Sequence, residues 1–251
     1  MLDTKILLTN LGIEQLIPMQ EKMSKAATQQ GGVVLLSPTG SGKTLAYLLP
    51  LVSLVNPAND ALQAAVVLPT RELAQQSEDV LKRMKTGLRS MALYGGRPAM
   101  DEHRIMRELK PQIVFATPGR LLDHLGKENL SPYAVKSLVI DEFDKCLELG
   151  FQEEMESLLK YFTKATHCWL TSATDAEAIP AFMQKIAPNF KTLNYLDGDN
   201  DTKLRIEVQQ VLSPQKDKLE TLGRLLTTLK GQPAIVFVDY RESAERVGKW
   251  L

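Results

Sequence analysis

Apolar residues in this chain come in short runs, each closed by a polar or glycine-bearing turn and followed by residues at helical spacing. The runs span 33–36, 64–68, 91–94, 113–116, 138–140, 167–170 and 190–195. They are brief, mostly β-branched or aliphatic and continuous, which predicts strands buried on both faces. Between them lie helical patterns: two short ones within 1–30 joined at Gly12, one after residue 44, one from the low seventies to about 86, and one through Met106. Pro50 is expected to kink or stop the pattern after residue 44. Strand, turn and helix in alternation predict βαβ units, hence an α/β fold with a parallel sheet and helices on both faces. A β-sandwich would lack the intervening helices. In such sheets ligands gather at the carboxyl ends of the strands, where the unusual turns of this chain fall.

Residues 1–196 carry this alternation as one domain. Residues 197–203, which include Asp197-Gly198-Asp199-Asn200-Asp201, read as a linker. Residues 204–251 read as the incomplete start of a second α/β domain, since about fifty residues are fewer than the usual 100 or more. Strands are expected there over 205–211 and 234–238, with helices near 218–229 and from 242.

The most informative turn is Ser37-Pro38-Thr39-Gly40-Ser41-Gly42-Lys43-Thr44, set between an apolar run and a helical pattern. Glycines let successive N–H groups point inward, and the helix adds its positive end. Lys43 can then reach the β- and γ-phosphates of a nucleotide, and Thr44 can hold magnesium. Ser37 stands where the strict pattern has glycine. The plain alternative is a turn that only caps a helix. Downstream, the 138–140 run delivers Asp141 and Glu142 to the same edge, suiting them to hold magnesium, usually through water, and to position or deprotonate a water. An acidic first turn favoured by the helix dipole is the alternative. Ser172 and Thr174 follow another run, where they could cap a helix. Taken alone, Gln20 reads as a solvated helix residue.

Composition limits the partners. Among 251 residues, 44% are hydrophobic and 24% charged, with 30 Lys and Arg against 30 Asp and Glu. No global charge favours nucleic acid, so any such contact has to be local. Cys146 and Cys168 have neither metal spacing nor a disulfide pattern and read as buried apolar residues. His124 and His167 read as structural and His103 as solvated. No apolar run approaches the roughly 18 residues of a membrane helix, and no signal peptide pattern is present. A soluble, cytoplasmic protein without a membrane partner is expected.

Together these turns resemble those of DEAD-box RNA helicases, ATP-dependent enzymes built from two RecA-like domains. The stretch from Gly12 to Gln20 is similar to the family's adenine-reading motif, and 37–44 to its phosphate loop. Pro69-Thr70-Arg71-Glu72-Leu73-Ala74, Gly95-Gly96 and Thr117-Pro118-Gly119-Arg120 match its RNA-contacting motifs. Asp141-Glu142-Phe143-Asp144 and Ser172-Ala173-Thr174 match its later motifs. Phe143 replaces an alanine, and Ile13 a usual aromatic.

The resemblance implies ATP and Mg2+ as cofactors and RNA, held by its backbone, as partner to a monomer. It implies that Gln20 reads adenine, that Lys43, Asp141 and Glu142 carry the chemistry, and that Asp144, Ser172 and Thr174 couple hydrolysis to RNA release. Arg71 and Arg120 would supply charge to RNA; without their motifs they read as surface ion pairs. The second domain's motifs lie outside these 251 residues, so the chain alone is expected to bind nucleotide, to hydrolyse it poorly and not to unwind duplex. Brisk RNA-stimulated turnover by these residues would contradict that. A DNA-directed helicase, another P-loop ATPase or GTPase, and a non-enzymatic RNA clamp are the rival readings.

Overall fold

The computed structural model describes residues 3–96, 99–174, 181–184, 190–196 and 208–251. It divides into two compact units, Met1–Asn200 and Asp201–Leu251. In the first, the order is α1 (Thr4–Leu11), α2 (Pro18–Ala27), β1 (Gly31–Leu36), α3 (Lys43–Leu54), β2 (Ala64–Val67), α4 (Arg71–Arg83) and β3 (Ser90–Leu93). Then come α5 (Ala99–Leu109), β4 (Ile113–Ala116), α6 (Pro118–Gly126), β5 (Ser137–Ile140), α7 (Phe143–Glu148), α8 (Gln152–Tyr161), β6 (His167–Ser172), α9 (Ala181–Gln184) and β7 (Phe190–Asn194). The strands form one parallel sheet in the order β3-β4-β2-β5-β6-β1-β7.

Strand alternation sends the continuous apolar runs to two separate cores. Val33, Leu35, Val66, Phe115, Val139 and Trp169 face one cluster, shared with Met23 of α2, Leu48 of α3 and Leu81 of α4. Val34, Val67, Val114, Ile140 and Leu170 face the other, shared with Met106 of α5, Leu121 of α6, Phe143 of α7 and Leu158 of α8. Both faces are thus covered, which explains why these strands are apolar throughout.

Pro50 does not end α3. The helix runs on to Leu54. An interior proline costs about 3 kcal/mol through its missing N–H and ring clash, but Leu51, Val52 and Val55 beyond it are buried. Each such side chain contributes about 1.5–3 kcal/mol, so packing outweighs the local penalty.

Both cysteine thiols are buried, and burial pushes each up to about 12, with nearby carboxylates adding to the effect at Cys146. A thiol that keeps its proton is unreactive. A thiol-reactive disulfide reagent at pH 8 should therefore label neither cysteine of the native chain and both once denaturant is added; fast labelling without denaturant would contradict this packing.

The second unit contains α10 (Leu219–Thr228) and α11 (Arg241–Trp250). Gly223 makes room for Trp250, whose ring carbon lies 2.4 Å from where a Cβ would stand, and Arg246 pairs with Asp217. The expected strand at 234–238 is not formed: Ile235 and Phe237 are largely exposed, and no described residue pairs with this segment. A strand exists only through its ladder partner, and sequence pattern cannot supply one. Of the other expected strand, 205–207 and the linker 197–203 lie outside the described residues, and 208–211 is not a strand.

Candidate functional site

The turn after β1 begins where Ser37 N–H donates to Ser172 O at 3.0 Å, fixing the loop to β6. Gly40 (φ 77°) and Gly42 (φ 92°) take left-handed conformations that side chains disfavour. A Cβ on Gly42 would also lie 2.7 Å from Gln20 Nε2. Lys43, the first residue of α3, is buried, and its ammonium donates to Ser37 O at 2.7 Å and Pro38 O at 3.0 Å. Burial lowers its pKa, and the charges of Asp141, Glu142 and Asp144 oppose that shift. Ser37 fits in place of glycine because its hydroxyl turns inward to Ser41 Oγ, at 2.5 Å. Thr39 and Gly40 stay exposed at the rim.

Gln20 is not solvated. It is buried; its Oε1 accepts from Ile17 N–H at 3.1 Å and its Nε2 donates to Gly42 O at 3.3 Å. The amide therefore joins the start of α2 to the phosphate-loop backbone.

Two strands away, β5 ends at Ile140 and hands Asp141 and Glu142 to the same edge. Asp141 is buried, accepting from the Thr171 hydroxyl on Oδ1 and from the Tyr47 hydroxyl, 3.1 Å away, on Oδ2. Burial raises its pKa, and the two hydroxyl bonds oppose that. Glu142 sits at φ 50°, ψ 52°, uncommon for a residue with a Cβ. Its N–H is held by Thr171 Oγ1 at 3.0 Å. Glu142 is half-buried, and its pKa is also raised, by burial first and then by the Asp141 charge.

A raised carboxylate pKa means that ionisation costs folded stability, and that this cost appears as pH rises through the folded value. Asp141→Asn, whose amide can bond both hydroxyls, should raise the melting temperature of the metal-free chain at pH 7. A gain of about 1 kcal/mol corresponds to about 2–4 °C at this size. The advantage should shrink as pH falls and Asp141 takes up its proton. A lower melting temperature at pH 7 would contradict this electrostatic account.

Between these two turns lies the end of β6. Thr174 Oγ1 donates to Asp144 Oδ2 at 2.9 Å, and Ala173 N–H donates to the same oxygen at 3.3 Å. Ser172 Oγ closes the turn by donating to Thr174 O at 2.7 Å. Asp144 Oδ1 is buried with no partner among the described residues.

The remaining turns occupy the other half of the edge. After β2, buried Pro69 leads to Thr70, whose hydroxyl accepts from Leu73 N–H at 3.3 Å and caps α4. Arg71 and Glu72 are exposed and paired to each other at 2.5 Å. After β4, Thr117 precedes α6, which opens on Pro118, with Gly119 exposed in its first turn. After β3, Gly95 and Gly96 form an exposed turn, with Gly96 at φ 94°. The sheet order thus separates the six turns cleanly: β5, β6 and β1 carry one set, and β3, β4 and β2 the other.

Arg120 is less available than its motif suggests. Its side chain is only 14% exposed, and Nε donates to Glu102 Oε2 at 2.7 Å. The same carboxylate oxygen meets fully buried His124 Nε2 at 2.9 Å, and Asn129 reaches Nδ1 of that histidine at 3.2 Å. Sequence reasoning missed Glu102, though a signal existed: it shares the helical stripe of Met106 and Leu109, which faces the core. It also missed the role of Thr171, which follows an apolar run, and of Tyr47, whose hydroxyl lies inside an apolar helical stretch. No group of His, Cys, Asp and Glu suited to a metal cage occurs among the described residues.

Residues 17–181 match the profile described as DEAD/DEAH box helicase. The chain is 33% identical over 236 residues to the DEAD-box ATP-dependent RNA helicase RhpA of Helicobacter pylori (strain B128), covering 93% of this chain and 47% of that protein. It is 34% identical over 256 aligned positions to the ATP-dependent RNA helicase CshA of Listeria monocytogenes, covering 100% of this chain and 48% of that one. The chain therefore spans about half the length of the curated relatives it matches. Among solved structures, a DEAD box protein from Methanococcus jannaschii superposes with a TM-score of 0.71 at 28% identity, over 99% of this chain and 67% of that one. The DEAD-box helicase Mss116 bound to ssRNA and UDP-BeF gives 0.67 at 29% identity, over 76% of this chain and 43% of that one. A seven-stranded parallel RecA-like sheet with its P-loop turn and paired acidic residues at one edge agrees with both comparisons, and the chain belongs to the DEAD/DEAH box helicase family.

Proposed function

We propose that this chain is the ATP-binding part of an ATP-dependent RNA helicase that separates short duplexes locally. The observation that carries the reading is the division of one sheet edge into two sets of turns, a phosphate loop with carboxylates on β5, β6 and β1 and backbone-rich turns on β3, β4 and β2.

In the first set, the Ser37–Thr44 loop takes the phosphates, with Gly40 and Gly42 shaping its backbone and Lys43 exchanging the Ser37 and Pro38 carbonyls for phosphate oxygens. Gln20, already bonded to the loop, reads adenine beside it. Thr44 and Asp141 suit magnesium: hydroxyls, not a cation, hold both Asp141 oxygens, which leaves its charge available to a hydrated ion. Bound with ATP, the ion would neutralise charge on the transferred phosphoryl group. Glu142, half-buried and with its pKa raised by burial and by the Asp141 charge, orients the attacking water and accepts its proton. Thr174, with Ser172 bracing its turn, and Asp144 relay closure of the site to the RNA side.

In the second set, the amino ends of α4 and α6 and the Gly95-Gly96 turn present N–H groups to the sugar–phosphate backbone. Thr70 and Thr117 add hydroxyls, Pro69, Glu72, Pro118 and Gly119 shape the turns, and Arg71 adds charge once it leaves Glu72. Arg120, neutralised by Glu102, contributes more to loop shape than to charge. Such contacts are sequence-tolerant. Residues 197–203 would link this domain to the beginning of a second RecA-like domain at 204–251, an assignment favoured by the exposed apolar segment around Ile235 and Phe237. The protein would act as a monomer in the cytoplasm; no described helix is long and apolar enough to cross a membrane.

The test is ATP turnover by the complete protein with single-stranded RNA or with DNA of the same sequence. Stimulation by RNA alone supports the reading. Equal stimulation by DNA favours a DNA-directed helicase, and RNA binding without turnover favours a clamp.

A further inference from the structure

Tyr47 lies in the second turn of α3 with no exposed surface. Its helix neighbours from Leu45 to Leu51 are all apolar, and phenylalanine would fill the same space with no hydroxyl to desolvate. The Tyr47 hydroxyl is 3.1 Å from Asp141 Oδ2 and 3.2 Å from Ser77 Oγ. One phenolic proton cannot serve both. The carboxylate, as the charged acceptor, takes it, and the Ser77 hydroxyl donates back to the phenolic oxygen. Asp141 is gripped on both oxygens, by Thr171 and by Tyr47, with lone pairs left over on each.

We propose that Tyr47 is a positioning residue for magnesium: its phenol, one turn along α3 from Thr44, fixes Asp141, the carboxylate suited to hold the ion, against the helix that carries Thr44. Through Ser77 it also anchors Asp141 to α4, the helix that Thr70 opens on the nucleic-acid half of the edge. This inference rests on the nucleotide reading of the Ser37–Thr44 loop. Partners that orient metal-holding groups typically change metal affinity by about 10–100-fold when removed.

The experiment titrates ADP into the 251-residue chain at a series of free magnesium concentrations, starting from excess chelator. For Tyr47→Phe, metal-free ADP affinity should stay within about twofold of the wild type, while the magnesium needed for half its effect rises about tenfold. Ser77→Ala, which leaves the bond to Asp141, should shift the magnesium requirement less and in the same direction. It also serves as the reporter if Tyr47→Phe fails to fold, and an unchanged requirement would then count against the proposal. A wild-type magnesium requirement in Tyr47→Phe overturns the inference. So does equal weakening with and without magnesium, because that marks a packing role. If the wild-type chain binds ADP with no magnesium effect at all, the inference falls together with the nucleotide reading, a distinct result.

Discussion

Glu142→Gln in the complete protein is expected to lower RNA-stimulated ATP turnover by about 10²–10⁴-fold, the usual contribution of a positioned general base, while RNA binding stays intact. Three features of Glu142 favour that outcome. It follows β5 directly, so its backbone is fixed by the sheet and by the Thr171 bond to its N–H. Its left-handed conformation turns the chain sharply into α7, a strain of the kind that persists where surroundings over-determine it. Its raised pKa, from burial and the adjacent Asp141, makes it a better base than a free glutamate. Glutamine preserves shape and removes only basicity. Steady-state turnover and RNA binding, measured on the same preparation, separate the two effects; residual turnover near wild type would remove Glu142 from the chemistry.

Lys43→Ala is expected to weaken ADP binding to the 251-residue chain by about 10–100-fold, since a hydrogen bond to a charged group contributes about 1.5–3 kcal/mol. The fold should survive, because the buried ammonium carries a desolvation penalty that alanine relieves. Its present partners, the Ser37 and Pro38 carbonyls, sit on a loop with an exposed rim and can find water. Calorimetric titration with ADP and a melting curve check both halves. Unchanged ADP affinity would mean that the loop is only a helix cap.

Much of this was legible in the sequence, for physical reasons. Strands buried on both faces announce themselves as short continuous apolar runs, and each observed strand of the first unit lies within a residue or two of such a run. Turns with glycine, proline and hydroxyl residues marked the carboxyl edge. What stayed hidden depended on partners distant in sequence. Pro50 breaks a helix locally, but Leu51 and Val52 hold it through packing. The 234–238 run has strand composition and no described ladder partner. Gln20 resembles any solvated glutamine until α2 is laid beside Gly42. Arg120 reads as charge for RNA or as a surface ion pair, and only the packing of α5 on α6 brings buried Glu102 to it. Tyr47 reads as one more apolar helix residue; its hydroxyl gains a role because β5 delivers Asp141 to the same spot.

Amide hydrogen exchange on the 251-residue chain, with Mg-ADP and single-stranded RNA added separately, tests the divided edge most directly. Mg-ADP should slow exchange at 37–44, 141–144 and 172–174, whereas RNA should slow it at 69–72, 95–96 and 117–120. RNA protection centred on the Ser37–Thr44 loop, or nucleotide protection at the β3, β4 and β2 turns, would contradict it.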